Sequence, residues 1–491
     1  MSTNNSLIDT WLIQSKPNNT TSALLDGIKQ KLNTLVLNKP SSPHYIDILH
    51  LANDKSDDAF QSQLTDVIIK IAGVATNKVI IRYLEGNVGG TPPEKSFTFI
   101  DGLKAKYQGK SLTNVTVYAA TFNYPWTNNN NYQYTLPGSW NHAKIFAIDG
   151  ITCFTGGQNY WDDYLPPSNP PYDISMRVNG DAVKLGHLYA NFLWDYVAHP
   201  TTTSTSHKAL TLGAKDYDTS LPVPFSSQSF PTPTQPEQVP ILAVGNLGIW
   251  GEEGRFIAEE LAYSLATEQL SPKNTYPELM NAKNPPLWYP FSKFDSAQSK
   301  AMQASTTARH LLLQQVQQNG HLRISQQKIA DTDLVTTTNI VLWPGEFLEA
   351  TVAAMADKKA KVDILLSHHM DSYSDGYSDD MGGQALGGVF VDMVAKKMGT
   401  SVKEAVLYVR NYLSIKQIPV GSYNHAKVWI VDDSVFCVGS DNIYPAYLQE
   451  FSYIVGSTEK TQAFIQNYWN YIWSIGENVP INKTPGSGND L

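Results

Sequence analysis

A chain of 491 residues is longer than one hydrophobic core ordinarily serves and suits two domains or lobes. Its formal charge of −9 gives no global cationic field, which argues against nucleic acid as substrate, and two cysteines, Cys153 and Cys437, cannot build a disulfide framework. No run of about 18 apolar residues occurs, so nothing reads as a membrane span.

The opening "MSTNNSLIDTWLIQSKPNN" has neither a cationic start nor an apolar segment, so no signal peptide is expected. The expectation is a soluble protein, cytoplasmic or exported by a leaderless route. "YIDILHLANDK" then reads as a strand. An amphipathic stretch with Phe60, Leu64, Val67, Ile68 and Ile71 follows as a helix, and "KVIIRYLEG" as a second strand. "NNNNY" at 128–132 reads as a polar loop. "LGHLYANFLWDYVA" carries apolar pairs every four residues, as a packed terminal helix does.

"TTTSTS" at 201–206 is a polar break, and the prolines of 220–240 exclude helix and central strand, so that segment reads as an extended linker. Beyond it the order repeats: "HLRISQQKI", a helix with Phe347, Leu348, Val352 and Met355, then "KVDILLSHH". Residues 367–388 are Gly-rich and acidic and read as a long mobile loop, with His368 and His369 as candidate ligand contacts. "DSYSDGYSDD" lacks the alternating register of a calcium loop, so no metal is expected there. "TQAFIQNYWNYIW" matches the earlier terminal helix, and the tail "NKTPGSGNDL" reads as disordered.

The expected organisation is therefore a first lobe at 1–219, a linker at 220–240 and a second lobe at 241–491. The fold class is α/β: two duplicated lobes, each a mixed β-sheet flanked by helices.

Two stretches carry the chemistry, "WNHAKIFAIDGITCFTGGQN" and "YNHAKVWIVDDSVFCVGSDN". The first sets out His142, Lys144, Asp149, Gly156, Gly157 and Asn159. The second sets out His425, Lys427, Asp432, Gly439, Ser440 and Asn442, each 283 positions further on. A His and a Lys two apart on a strand share a face. After a turn at the Asp, a second strand returns to the small residues and brings the Asn near the start of the first. Imidazole, ammonium and amide together repel a metal cation and suit an anion. Two copies face to face would surround one phosphodiester with two ammoniums, two amides and two imidazoles, and no metal or other cofactor is needed. Cys153 and Cys437 fall one position out of phase in these stretches and so belong on opposite faces of matched strands.

This pattern resembles the duplicated HKD motif of the phospholipase D superfamily. With "GGQNYWDDYL", "GSDNIYPAYLQEFSYIV", "VPILAVGNLG" and "HLRISQQ" it looks most like the Streptomyces-type bacterial phospholipases D, over about residues 40–475. The resemblance implies an active site at the lobe interface. His142 would be the nucleophile that forms a phosphohistidine, and His425 the acid that protonates the leaving alcohol and then acts as base. Lys144, Lys427, Asn159 and Asn442 would hold the phosphoryl oxygens. Asp173 in "YDISMRV" and Glu450 in "LQEFSYIV" match the acidic residues that orient the imidazoles. The second of these is commonly Asp in the family, so Glu450 is a departure. Asp149 and Asp432 are expected to hold the turns, and Gly157 stands opposite Ser440, so only the second lobe has a hydroxyl there. Trp161 and Tyr164 either line the entrance for a head group or pack in the core.

The expected activity is hydrolysis of glycerophospholipids such as phosphatidylcholine to phosphatidic acid and a free alcohol, with head-group exchange as a side reaction. The partner is a phospholipid surface touched peripherally by a monomer, with no nucleic acid. The alternatives are a nuclease or other phosphodiesterase, a phosphatidyltransferase of the cardiolipin-synthase type, and a decayed lipid-binding scaffold.

Overall fold

The computed structural model describes residues 1–8, 10–16, 22–37, 43–51, 59–86, 97–107, 114–124, 139–166, 168–199, 206–248, 300, 302–332, 341–368, 382–444 and 448–482. The polar stretches at 128–132 and 201–205, His369 and the tail from 483 lie outside them.

The described residues build two large mixed sheets with one strand order. In the first, Ile174–Gly180, Thr152–Gly156, Ile145–Ile148, His44–Leu51, Val79–Gly86 and Val115–Tyr124 lie side by side. In the second the same places are taken by Gln449–Val455, Val435–Gly439, Val428–Val431, His321–Ser325, Lys361–Leu366 and Leu413–Gln417. Each sheet joins a parallel trio to an antiparallel hairpin that carries the His-x-Lys motif. The middle strand Val79–Gly86 is buried at every residue, which is why "KVIIRYLEG" lacks a polar face.

The strand–helix–strand units expected from periodicity are present in both halves. Ala59–Val74 buries Phe60, Leu64, Val67, Ile68 and Ile71, and Gly345–Lys358 buries Phe347, Leu348, Val352 and Met355. Ala182–Ala198 closes the first half. Its counterpart begins at Thr458–Phe464 and ends at Asn470–Ile475, with a widened π turn at Ile465–Trp469 between them.

The expected loop at 367–388 is corrected at its end. Residues from Gly383 belong to a helix, Gly383–Met398, that buries Ala385, Leu386, Val389 and Phe390. Its glycines hid the helical period. Gly383 is small for a packing reason, because a Cβ there would lie 3.0 Å from Ile415 and Val479. Residues 369–381 lie outside the described residues.

The motif strands alternate between two cores. Ile145, Ala147, Val428 and Ile430 face a core shared by both sheets, with Phe436, Val438, Phe451 and Tyr453. Phe146 and Ile148 face the first lobe's outer core, and Trp429 and Val431 the second's. Cys153 lies in the shared core and Cys437 in the outer one, as their offset requires; both are buried free thiols. A period of two thus welds the hairpins back to back and places the two motifs at one interface.

Residues 220–240 contain neither helix nor strand, yet they are held down: Phe225 stacks on His187 with ring centroids 4.1 Å apart. Burying such a ring contributes about 2 kcal/mol. The N-terminus also spans both halves, since Asn5–Ser6 adds to the first sheet while Ser2 bridges Ile241 of the second. Among the described residues no helix is long and apolar enough to cross a membrane.

Candidate active site

Each motif histidine is clamped by the opposite lobe. The amide of His142 donates to the carbonyl of Gln449 at 2.9 Å, and that of His425 to the carbonyl of Tyr172 at 2.8 Å. Gln449 precedes Glu450 and Tyr172 precedes Asp173, so each clamp delivers a carboxylate to a ring. His142 Nδ1 lies 2.8 Å from Glu450 Oε1 and 3.0 Å from Oε2. His425 Nδ1 lies 2.8 Å from Asp173 Oδ2. The acidic residues therefore serve across the interface, each orienting the ring of the other half. The longer Glu450 reaches its ring with both oxygens. A carboxylate at Nδ1 fixes the proton there and leaves Nε2 as the nucleophilic or proton-carrying atom.

Lys144 and Lys427 are buried, and each ammonium donates to the carbonyl of its own motif histidine, at 2.7 and 2.6 Å. Both lysines act on both rings, which places the four groups in one electrostatic neighbourhood. Burial, then the two ammoniums, hold His142 well below the ordinary imidazole range. Burial, then Lys427, pull His425 down to about 4. Burial takes Lys144 down to about 7 against the pull of Glu450, and pushes Glu450 up to about 8 against the two lysines. Lys427 disfavours the charge on Lys144 and on both rings, a repulsion that a bound anion would relieve.

Asn159 and Asn442 follow the hairpins and are buried, with Oδ1 unpartnered in each, and Asn442 Nδ2 donates to Tyr444 at 2.7 Å. The two turn aspartates lie apart from the rings. Asp149 (φ 54°) accepts from the amide of Tyr45 at 2.6 Å, and Asp432 (φ 51°) from the amide of His321 at 2.9 Å. Each ties its hairpin turn to the start of the neighbouring parallel strand, in a left-handed conformation that Asp tolerates.

The pairing of Gly157 with Ser440 has a consequence that the spacing does not show. Ser440 Oγ donates to Glu450 Oε2 at 2.5 Å. At Gly157 no side chain fits, because a Cβ would lie 2.2 Å from Asp173 Oδ1. The missing hydroxyl comes from Tyr164 instead, which donates to Asp173 Oδ2 at 2.7 Å and lies 3.3 Å from His425 Nδ1. Tyr164 is thus buried in the carboxylate network rather than lining an entrance. Trp161 is partly exposed beside it, and His368 is partly exposed at the end of Lys361–Leu366.

Two further sets of residues gave no signal in the spacing. Asn141 and Asn424, each just before a motif histidine, donate to the carbonyls of His50 at 3.0 Å and Gln326 at 2.9 Å and so pin the motif to the parallel trio. Behind Glu450, Asp441 binds Arg309 at 2.7 Å, Ser305 at 2.8 Å and Asn246 at 3.1 Å, all buried. Among the described residues no cluster of metal-ligating side chains occurs.

No protein-family model matches the chain. A phospholipase D of Streptomyces antibioticus is 26% identical over 339 residues, 66% of this chain and 57% of that protein. The match therefore spans little more than half the length of that relative. A cardiolipin synthase A of Pseudomonas fluorescens (strain SBW25) is 48% identical over 46 residues, 9% of this chain and 10% of that protein. The solved structure of a phosphatidylserine synthase from Haemophilus influenzae Rd KW20 superposes with a TM-score of 0.49 at 12% identity, over 96% of this chain and 87% of that one. Two copies of the His-x-Lys hairpin meet across one interface, and the similarity to that phospholipase D extends over 66% of the chain, which together support a place in the phospholipase D superfamily.

Proposed function

We propose that the protein is a phospholipase D that hydrolyses glycerophospholipids, phosphatidylcholine among them, to phosphatidic acid and a free head-group alcohol. The observation that carries this reading is the exchanged pair of ring–carboxylate contacts, His142 with Glu450 and His425 with Asp173, which orients two imidazoles that both feel the same two buried ammoniums. His142 Nε2 attacks phosphorus and the bond to the head-group oxygen breaks. His425 gives that oxygen its proton, leaving a phosphatidyl group on His142. Water, deprotonated by His425, then displaces the ring and restores both histidines. Another alcohol in place of water gives head-group exchange. Lys144, Lys427, Asn159 and Asn442 hold the phosphoryl oxygens while charge develops on them.

The electrostatics support a substrate-assisted cycle. Without an anion, burial and then the ammoniums disfavour the charged form of both rings. A phosphodiester between the lysines offsets that field and raises His425, so the acid forms when substrate is bound. The membrane is touched peripherally by a monomer, and no cofactor takes part.

A phosphatidyltransferase of the cardiolipin-synthase type is the second reading, favoured by the local match to such a protein. Phosphatidylcholine vesicles, phosphatidylglycerol vesicles and plasmid DNA, each incubated in EDTA, separate the readings. Choline release supports the first and cardiolipin the second. Nicking of DNA without lipid turnover overturns both in favour of a nuclease.

A further inference from the structure

Beside the motif of the first lobe lies a set of buried acceptor atoms with no hydrogen-bond partner: His50 Nδ1, Glu85 Oε2 and Asn141 Oδ1. His50 and Glu85 are aligned neighbours at the ends of two parallel strands, and neither is exposed. Tyr83 Oη donates to Glu85 Oε1 at 2.5 Å. That spends its one proton, so its contact with His50 Nε2 at 2.6 Å requires the ring to carry hydrogen at Nε2. Nε2 also lies 3.3 Å from Glu85 Oε1, and in the neutral ring Nδ1 is a bare lone pair. Asn141 donates its amide nitrogen to the carbonyls of His50 at 3.0 Å and Ala143 at 3.3 Å, which fixes its orientation and leaves Oδ1 bare.

The cluster abuts the reaction pocket through two covalent neighbours. Asn141 precedes His142. Tyr160 follows Asn159, stacks on the His50 ring with centroids 5.4 Å apart, and has an unpartnered hydroxyl. The close approach depends on Gly86, where a Cβ would lie 1.7 Å from the carbonyl oxygen of Asn141.

The duplication supplies an internal control. In the second lobe Gln326 stands where His50 stands, held by Asn424 as His50 is held by Asn141. Its unpartnered atom is a donor, Nε2. Ser325 pairs with Leu365, so the place of Glu85 falls to the apolar Leu366. The carboxylate and the bare imidazole nitrogen are peculiar to the first lobe.

We propose that His50, Glu85 and Asn141 form a subsite for a protonated primary amine, the ammonium of an amino-alcohol head group. Bare buried acceptors leave a desolvation cost unmet until a donor arrives. Three acceptors, one of them a carboxylate, match the three N–H bonds and single charge of a primary ammonium. A water has two hydrogens and no charge. A quaternary ammonium has no N–H and satisfies none of the three. The subsite rests on the reading of the site as one that cleaves phospholipid head groups, and it sets a preference within it: ethanolamine-type over choline-type lipids.

The test compares phosphatidylethanolamine with phosphatidylcholine in mixed micelles at equal surface concentration. The wild-type protein is expected to favour the first by about tenfold or more in kcat/KM, since a site built to hydrogen-bond a group rejects the analogue lacking it. Glu85→Gln is expected to bring that ratio towards one. Equal rates in the wild type, or a proportional loss on both lipids in the variant, overturn the proposal. Calorimetric titration of the lipid-free protein with ethanolamine and with choline separates it from the reading of the reaction. Binding of ethanolamine but not choline supports the subsite even if neither lipid is cleaved. Binding of neither means that the cluster holds water only and overturns it. These comparisons stand on the wild-type protein if the variant does not fold.

Discussion

His142 Nδ1 and Glu450 Oε1 are 308 residues apart in sequence and 2.8 Å apart in space, and the second lobe supplies the carboxylate that orients the first lobe's ring. Replacing Glu450 by Gln keeps the shape and removes the titratable carboxyl group. An amide can face the ring with either its oxygen or its nitrogen, so the tautomer is no longer held. The expected loss in kcat is about 10³–10⁴-fold with little change in KM, and Asp173→Asn should cost a similar factor through His425. Steady-state kinetics on mixed micelles, with circular dichroism as the control for folding, checks both.

The two histidines are distinguishable by leaving group. His142→Ala is expected to abolish turnover of every substrate, because no covalent adduct forms. His425→Ala should fail on natural head groups yet release one equivalent of p-nitrophenol from an activated ester, since that leaving group needs no acid. The adduct should then persist on His142, because the base for its hydrolysis is missing. An alkaline quench followed by mass spectrometry locates it, and a full burst from His142→Ala would refute the assignment.

Tyr164 supplies to Asp173 the hydroxyl that Ser440 supplies to Glu450. Tyr164→Phe is expected to lower kcat about tenfold and destabilise the fold by about 1.5–3 kcal/mol, the value of a hydrogen bond to a charged group. Adding Gly157→Ser should not restore activity, because the new Cβ would fall 2.2 Å from Asp173 Oδ1 and displace the carboxylate. Kinetics on the single and double variants, with urea unfolding, tests both statements.

His425 links stability to pH. Its folded value of about 4 lies below the ordinary imidazole value of 6.5, so its contribution is fully present above about 6.5 and is lost as pH falls towards 4. The full shift corresponds to about 3 kcal/mol. Urea unfolding at pH 7 and pH 4.5 is expected to show a larger loss in the wild type than in His425→Asn. Inorganic phosphate should shrink that difference by placing negative charge between the lysines. Parallel losses in the two proteins would count against the assignment.

Much of the fold was legible because its signals are local. The 3.6-residue period of Ala59–Val74 and the unbroken apolar run of Val79–Gly86 each report on their own burial. The repeated spacing gave both hairpins for the same reason. The glycines of Gly383–Met398 conceal a helix whose small residues are a packing requirement. The exchange of Glu450 and Asp173 between the rings was not readable, because nothing within a motif says which half will face it. Tyr164 was ambiguous for a related reason: an aromatic near a motif suits an entrance as well as a core, and only its 2.7 Å contact with Asp173 distinguishes them.

The backbone clamps from His142 to Gln449 and from His425 to Tyr172 bear on the history of such a chain. A single half with the same hairpin would hold a ring without a carboxylate and a carboxylate without a ring, and could react only by meeting a second copy. Joining the halves makes that encounter permanent, so turnover per molecule should not fall on dilution. It also frees each half to vary, which is how one lobe can place Glu85 where the other keeps Leu366.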